Sequence, residues 1–112
     1  MNKIFNCLNT CLIIVLFILL GCQQDDISYA IEEEMMIKIL ADMHIAEAAT
    51  LQGDISQRDS LRKIYYDQIF EIHEVPKETY EEDMDVLKRD AKKLASIYDK
   101  VIEQLKQRKE KL

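Results

Sequence analysis

Asp42, His44 and Glu47 bring two carboxyls and an imidazole into one short stretch. A divalent metal or a general acid–base pair would use these side-chain types. Helix geometry separates them. At about 100° per residue, Asp42 and His44 point roughly 200° apart and cannot share one ion. His44 and Glu47, three residues apart, do share a face, but two ligands do not make a zinc site. The expectation is a polar pair, His44 with Glu47, on a helix surface or between helices, with no metal and no catalytic residue. The second histidine, His73, falls at the end of a predicted helix, where the dipole favours a cation. It reads as a cap or an exposed terminus.

Two charged stretches follow. Glu71 to Asp85 holds seven acids and one base, and Lys88 to Lys111 holds nine bases and four acids. Glu78 with Glu82, and Glu81 with Asp85, are like-charge neighbours one helical turn apart. A calcium loop would need a Gly at its sixth position, which this stretch lacks. The acidic stretch reads as a solvated face, with docking of a basic partner as the alternative. The bases after the last apolar turn suit a helix C-terminus, or contact with lipid head groups or an acidic partner. There is no glycine-rich phosphate loop, no Ser-His-Asp set in a recognisable order and no Cys-His pair. No enzyme, cofactor or small-molecule substrate is expected. A net charge of −6 argues against nucleic acid.

The elements that position these groups are helices. The chain has 112 residues, with 48% apolar and 32% charged side chains, two Gly and one Pro. One domain fits that length, and so few turn residues exclude an all-β fold. Apolar spacing and stop signals predict four helical segments. The first runs from about Ile31 to Leu51, with Met36, Ile39, Leu40, Met43, Ala46 and Thr50 on one face. Glu32, Glu33 and Glu34 lie in its first turn, and Gly53 stops it. Asp54 and Ser56 offer N-caps for the second, about Gln57 to His73, with Leu61, Ile64, Tyr65, Ile69 and Ile72 on one side. Pro76 starts the third near its first position, with Tyr80, Met84 and Leu87 as a thin stripe. The fourth follows Asp90, a cap or a bend residue, with Leu94, Ile97, Tyr98, Val101 and Leu105. Tyr65, Tyr80 and Tyr98 fall on apolar stripes and are expected in the core, and Tyr66 outside it.

The N-terminal segment differs from the rest. Up to Gly21 the only side-chain charge is Lys3, and residues 11–20 are unbroken apolar sequence. Ten helical residues span about 15 Å, half of a bilayer core of about 30 Å. That is too short to span and fits the apolar region of a secretory signal. The run ends in Leu19-Leu20-Gly21-Cys22, which resembles the lipobox of bacterial lipoproteins, although Leu20 is bulkier than the residue usual there. The resemblance implies cleavage before Cys22, acylation of its sulfur and new amine, and attachment to the membrane through those chains. Two or more acyl chains make such anchoring stable. Cys7 and Cys11 would leave with the signal. Gln23-Gln24-Asp25-Asp26 resembles the surface-export signal of Bacteroidetes lipoproteins, or is a plain polar tether. From Gln23 to Ala30 it reaches at most about 29 Å. The organisation is a signal peptide over residues 1–21, a lipidated Cys22 and tether over residues 22–30, and a helical domain over residues 31–112.

Three stretches resemble a small Bacteroidetes lipoprotein family known only as a domain of unknown function, number 4296. They are Ile37-Lys38-Ile39-Leu40-Ala41-Asp42-Met43-His44-Ile45-Ala46-Glu47-Ala48, Tyr65-Tyr66-Asp67-Gln68-Ile69-Phe70, and Ile97-Tyr98-Asp99-Lys100-Val101-Ile102-Glu103-Gln104-Leu105. The sequence departs from the family at Glu74-Val75-Pro76, where Gly, an aliphatic residue and a Ser or Thr cap are usual. It departs again at Val86-Leu87, where a tyrosine pair is common. The resemblance implies an all-α, lipid-anchored domain and no known activity. The fold expectation is a small all-α domain of three or four helices, up and down. The functional expectation is a lipid-anchored outer-membrane interaction or accessory protein, facing the periplasm or the cell surface, with a possible protein partner. A chaperone-like client-binding module is the alternative, and a small metal-binding protein built on His44 and Glu47 ranks behind it.

Overall fold

The computed structural model describes residues 1–19 and 27–112, where every regular element is helical. They form five α-helices, α1 (Asn2–Leu19), α2 (Glu33–Leu51), α3 (Arg58–His73), α4 (Lys77–Leu87) and α5 (Ala91–Glu110), with a 3-10 turn at Ile55–Gln57. Four of them make up the body, and α1 is the fifth. Among the described residues no helix is long and apolar enough to cross a membrane. Ile4, Phe5, Leu8 and Leu12 of α1 are all exposed. Cys22, Gly21 and the Gln23–Asp26 stretch lie outside the described residues.

Helix α2 is the centre of the body. Met36, Ile39, Leu40, Met43, Ala46 and Thr50 are all buried, as their spacing predicts, and Ile37 and Ala41 join them. Thr50 is inside because its hydroxyl donates to Ala46 O at 2.8 Å, which satisfies it locally. Gly53 closes α2 through its N–H to Thr50 O. A Cβ there would stand 3.1 Å from Leu61 Cδ1, so the bare glycine lets α3 approach. Arg58 donates to Leu51 O at the negative end of α2.

The remaining helices run down and then up beside it. Glu47 meets Arg62 and Tyr66 near the start of α3, and Asp42 meets His73 at its end, so α3 is antiparallel to α2. Helix α4 continues that descent. Tyr80 packs on Phe70, and Leu87 lines a recess with Ile31, Met36 and Ile97 at the opposite end of the body. Helix α5 then rises with α2, since Glu33 holds Lys93 and Lys100 while Asp42 holds Arg108. The all-α expectation holds, but the described residues carry five helices rather than three or four, and the four of the body form three limbs, with the descending limb broken at residues 74–76.

That break is closed by backbone hydrogen bonds. Val75 N–H reaches Phe70 O at 3.0 Å and Glu74 N–H reaches Glu71 O, while Glu74 adopts the left-handed conformation at φ 55°. This is a Schellman ending, and the left-handed position ordinarily belongs to glycine. Pro76 sits one position earlier than its sequence suggests, at the N-cap of α4 rather than inside its first turn. Asp90 is a true cap, accepting Lys93 N–H at 3.0 Å. Asp54 accepts from Ser56 and caps the 3-10 turn that leads into α3.

Helix α3 departs most from its expected stripe. Ile69 and Phe70 are buried, but Ile64 is half exposed and Ile72 is 73% exposed. The helix turns its Tyr66–Ile69–Phe70–His73 side to the body. Part of the expected stripe therefore faces water.

Candidate functional site

The polar residues singled out in the sequence fall into three separate places. The first centres on Asp42. One of its carboxylate oxygens lies 2.6 Å from His73 Nε2, and the other accepts from Arg108. Three helices meet at this carboxylate, α2, α3 and α5. Burial opposes its charge, yet the hydrogen bonds from Arg108 and His73 outweigh that and hold the carboxyl below its usual range. An ionised carboxylate can only accept, so His73 Nε2 carries the proton of this bond. The His73 side chain is 13% exposed. Of the two expected readings, a cap or an exposed terminus, the exposed one does not hold: His73 ends α3 in its last turn, but Asp42 covers it from the facing helix.

The second place surrounds His44 and Glu47. Both side chains line one recess of about 130 Å³, with Leu40, Met43, Tyr66, Tyr80 and Tyr98. Among the described residues no hydrogen bond joins the two, and each meets a tyrosine of the same recess. The Glu47 Oε1 accepts Tyr66 OH at 2.6 Å and Arg62 Nε at 2.8 Å. These bonds, Tyr66 first, lower the Glu47 carboxyl below its usual range. The His44 ring stands edge-on to Tyr98, with centroids 5.8 Å apart. Burial, then the Glu47 bond, pushes the Tyr66 hydroxyl up to about 12. Tyr66 is therefore half-buried and engaged, not the outlying residue its place on the helical wheel implies. Tyr80 is also pushed up to about 12, chiefly by burial. Among the described residues no three His, Cys, Asp or Glu side chains gather as metal ligands.

The third place is Asp83, one of the seven acids of the supposed solvated face. The other six are exposed, but Asp83 is 6% exposed. Its carboxylate accepts the backbone N–H of Ile31 at 2.7 Å and of Ala30 at 3.1 Å. Tyr29 is half-buried and Ile31 is buried, so the chain is fastened to the body before α2 begins.

An apolar groove of about 420 Å³ crosses the outer side of α2 and α3, lined by Asp42, Ile45, Ala46, Ala49, Tyr65, Gln68, Ile69 and Ile72. The sequence does not mark it, because its spacing points Ile72 inward and Ile45 stands next to the buried Ala46.

This architecture extends over the region where a family model matches. The model described as "Domain of unknown function (DUF4296)" covers residues 28–111. The chain belongs to this family. Comparisons with curated proteins and with solved structures give no match. The matched region begins next to Tyr29 and takes in all four body helices, so the family's unit includes the Asp83-bound lead-in.

Proposed function

We propose that this family member is a lipid-anchored accessory protein of the outer membrane, acylated on Cys22, which binds a protein partner and catalyses nothing. The observation that carries the anchoring is α1. Its apolar side chains Ile4, Phe5, Leu8 and Leu12 lie bare to solvent, and the sequence that follows is Leu20-Gly21-Cys22. Bare apolar surface of that extent suits a hydrocarbon environment before processing. The short reach from Cys22 to the Ala30–Asp83 fastening keeps the body near the lipid surface.

The binding role draws on the α2–α3 groove, where Ile45 and Ile72 are exposed beside Ile69. The same groove favours the second reading, a chaperone-like module that holds unfolded clients by apolar contact. Failure to slow aggregation of an unfolded outer-membrane protein would remove that second reading.

Metabolic labelling with an alkyne fatty acid tests the anchor. The wild-type chain takes up label and fractionates with outer membranes, and Cys22→Ser does neither. Equal labelling of both chains would overturn the assignment of Cys22.

A further inference from the structure

The groove between α2 and α3 is bordered by opposite charge on its two sides. Asp42 closes one end of it, where His73 of α3 and Arg108 of α5 each reach one carboxylate oxygen. The ends of α3 and α5 therefore stand at one height on either side of Asp42. Arg108 also lines a recess between α2 and α5, together with Lys38, Lys100 and Lys111, where Glu34 and Glu103 are the acids. Lys38 lies one turn before Asp42 on α2, so this basic recess adjoins the groove. Lys38 is paired with Glu34, while Lys111 is exposed and has no ion-pair partner among the described residues.

The α3 side is acidic. Gln68 and Ile72 line the groove, and Glu71 stands about 60° from Gln68 and about 160° from the buried Ile69 around the helix. Glu71 and Glu74 are exposed, and neither carboxylate has an ion pair among the described residues. Lys77, beyond the break, is paired with Glu81. Between the two sides Ile45 and Ile72 stand bare, beside the buried Ala46 and Ile69. Apolar contact of this kind holds a protein, and the charges around it select which one. A partner of uniform charge meets its own sign on one side. A second copy, turned about a two-fold axis along the groove, brings an acidic side to each basic side at matching height. It also lays Ile45 near the partner's Ile72. The same axis leaves both Ala30–Asp83 lead-ins at one end, as attachment to a shared membrane surface requires.

We propose that the α2–α3 groove is a homodimer interface. Two copies lie side by side in the same direction, with Glu71 and Glu74 of each facing Lys38 and Lys111 of the other. This names the partner of the groove and so rests on the reading that the groove binds protein, but it does not need acylation of Cys22. The surface is small, so the dimer exchanges with monomer in solution, and attachment of both copies to one membrane raises their effective concentration.

Sedimentation equilibrium of the full chain in density-matched maltoside micelles tests this. The wild-type chain is expected to pass from monomer to dimer as its concentration rises. Glu71→Lys with Glu74→Lys sets base against base, and Lys38→Glu with Lys111→Glu sets acid against acid. Each reversed chain alone should dimerise about tenfold more weakly or worse. An equimolar mixture of the two restores both opposite-charge contacts and should recover the wild-type affinity. None of the four positions is buried, so circular dichroism should show the fold retained. Ile45→Ser with Ile72→Ser should stay monomeric. Association through the bare face of α1 is indifferent to these charges, so equal dimerisation of the wild type and both reversed chains would overturn the proposal. A wild-type chain that remains monomeric throughout overturns it too. In that case, apolar-dye fluorescence lost in Ile72→Ser upholds the groove as the site of a different protein, and no loss there removes both readings.

Discussion

Asp83, buried within α4, accepts the backbone N–H of Ile31, 52 positions earlier in the chain, at 2.7 Å. The same carboxylate takes the N–H of Ala30, and it does so just ahead of α2, whose N-terminal end carries partial positive charge. Hydrogen bonds to a charged group contribute about 1.5–3 kcal/mol each, less where water can replace the partner. Ala30 is exposed and can be resolvated, while Ile31 cannot. Asp83→Ala should therefore destabilise the body by about 2–3 kcal/mol. Urea unfolding would report this as a lower midpoint, and amide exchange at Ile31 should accelerate more than exchange at Ile39. Equal acceleration at both amides would mean that the carboxylate acts through global stability alone.

Glu74 occupies a left-handed conformation that an L-residue enters at a cost of about 1–2 kcal/mol. Glycine at the same place removes that cost and loses about 0.5–1 kcal/mol through the greater freedom of the unfolded chain. Glu74→Gly is thus expected to raise stability by roughly 0.5–1 kcal/mol, or a few degrees in Tm for a body of this size. Glu74→Ala keeps the strain and should gain nothing. A calorimetric scan of the three chains separates these outcomes.

The same residues explain why some of the structure was legible in the sequence and some was not. The face of α2 is legible because it is buried along one continuous side. Its six spaced residues have one consistent solution. Helix α3 offers two overlapping apolar sides, one through Tyr65 and Ile72 and one through Tyr66 and Phe70, and spacing alone does not choose between them. Tyr80 of α4 packs against Phe70 and makes the choice. The partners of Asp42 lie 31 and 66 positions away, beyond what a local pattern can register. Asp83 carries no mark that separates it from its six acidic neighbours until the lead-in is placed on α4. His44 and Glu47 share a recess, as their spacing allows, but Arg62 and Tyr66 reach the carboxylate from the facing helix.

Acid should unfold this protein through Asp42, Glu33 and Glu47. All three carboxyls are lowered in the folded state, Asp42 by Arg108 and His73 against its burial, Glu33 by Lys100 and Lys93, and Glu47 by Tyr66 and Arg62. A depressed folded value means the stabilisation is fully present above the unfolded values, near 4, and is lost as pH falls through the folded ones. Stability should stay level from about pH 7 to pH 5 and decline below about pH 4. Asp42→Asn should cost on the order of 1 kcal/mol at neutral pH, a figure reduced for the partial exposure of Arg108, and less at about pH 3. A deficit unchanged between the two conditions would show that the charge of Asp42 contributes nothing.

The α2–α3 groove predicts a contrast between two isoleucines. Ile39 is fully buried on α2, and Ile72 is largely exposed on α3. Ile39→Ala leaves a cavity at the centre of the body and should cost about 2–4 kcal/mol. Ile72→Ser removes a side chain that folding barely covers, and stability should stay within about 0.5 kcal/mol of wild type. If the groove is the binding surface, the order reverses for an apolar ligand. Fluorescence of an environment-sensitive dye bound to the folded chain should fall in Ile72→Ser, and further when Ile45→Ser is added, with no change in the unfolding midpoint. The bare face of α1 also binds dye, so the reading is the fluorescence lost relative to wild type, and no loss through both serine substitutions would remove the groove as a binding surface.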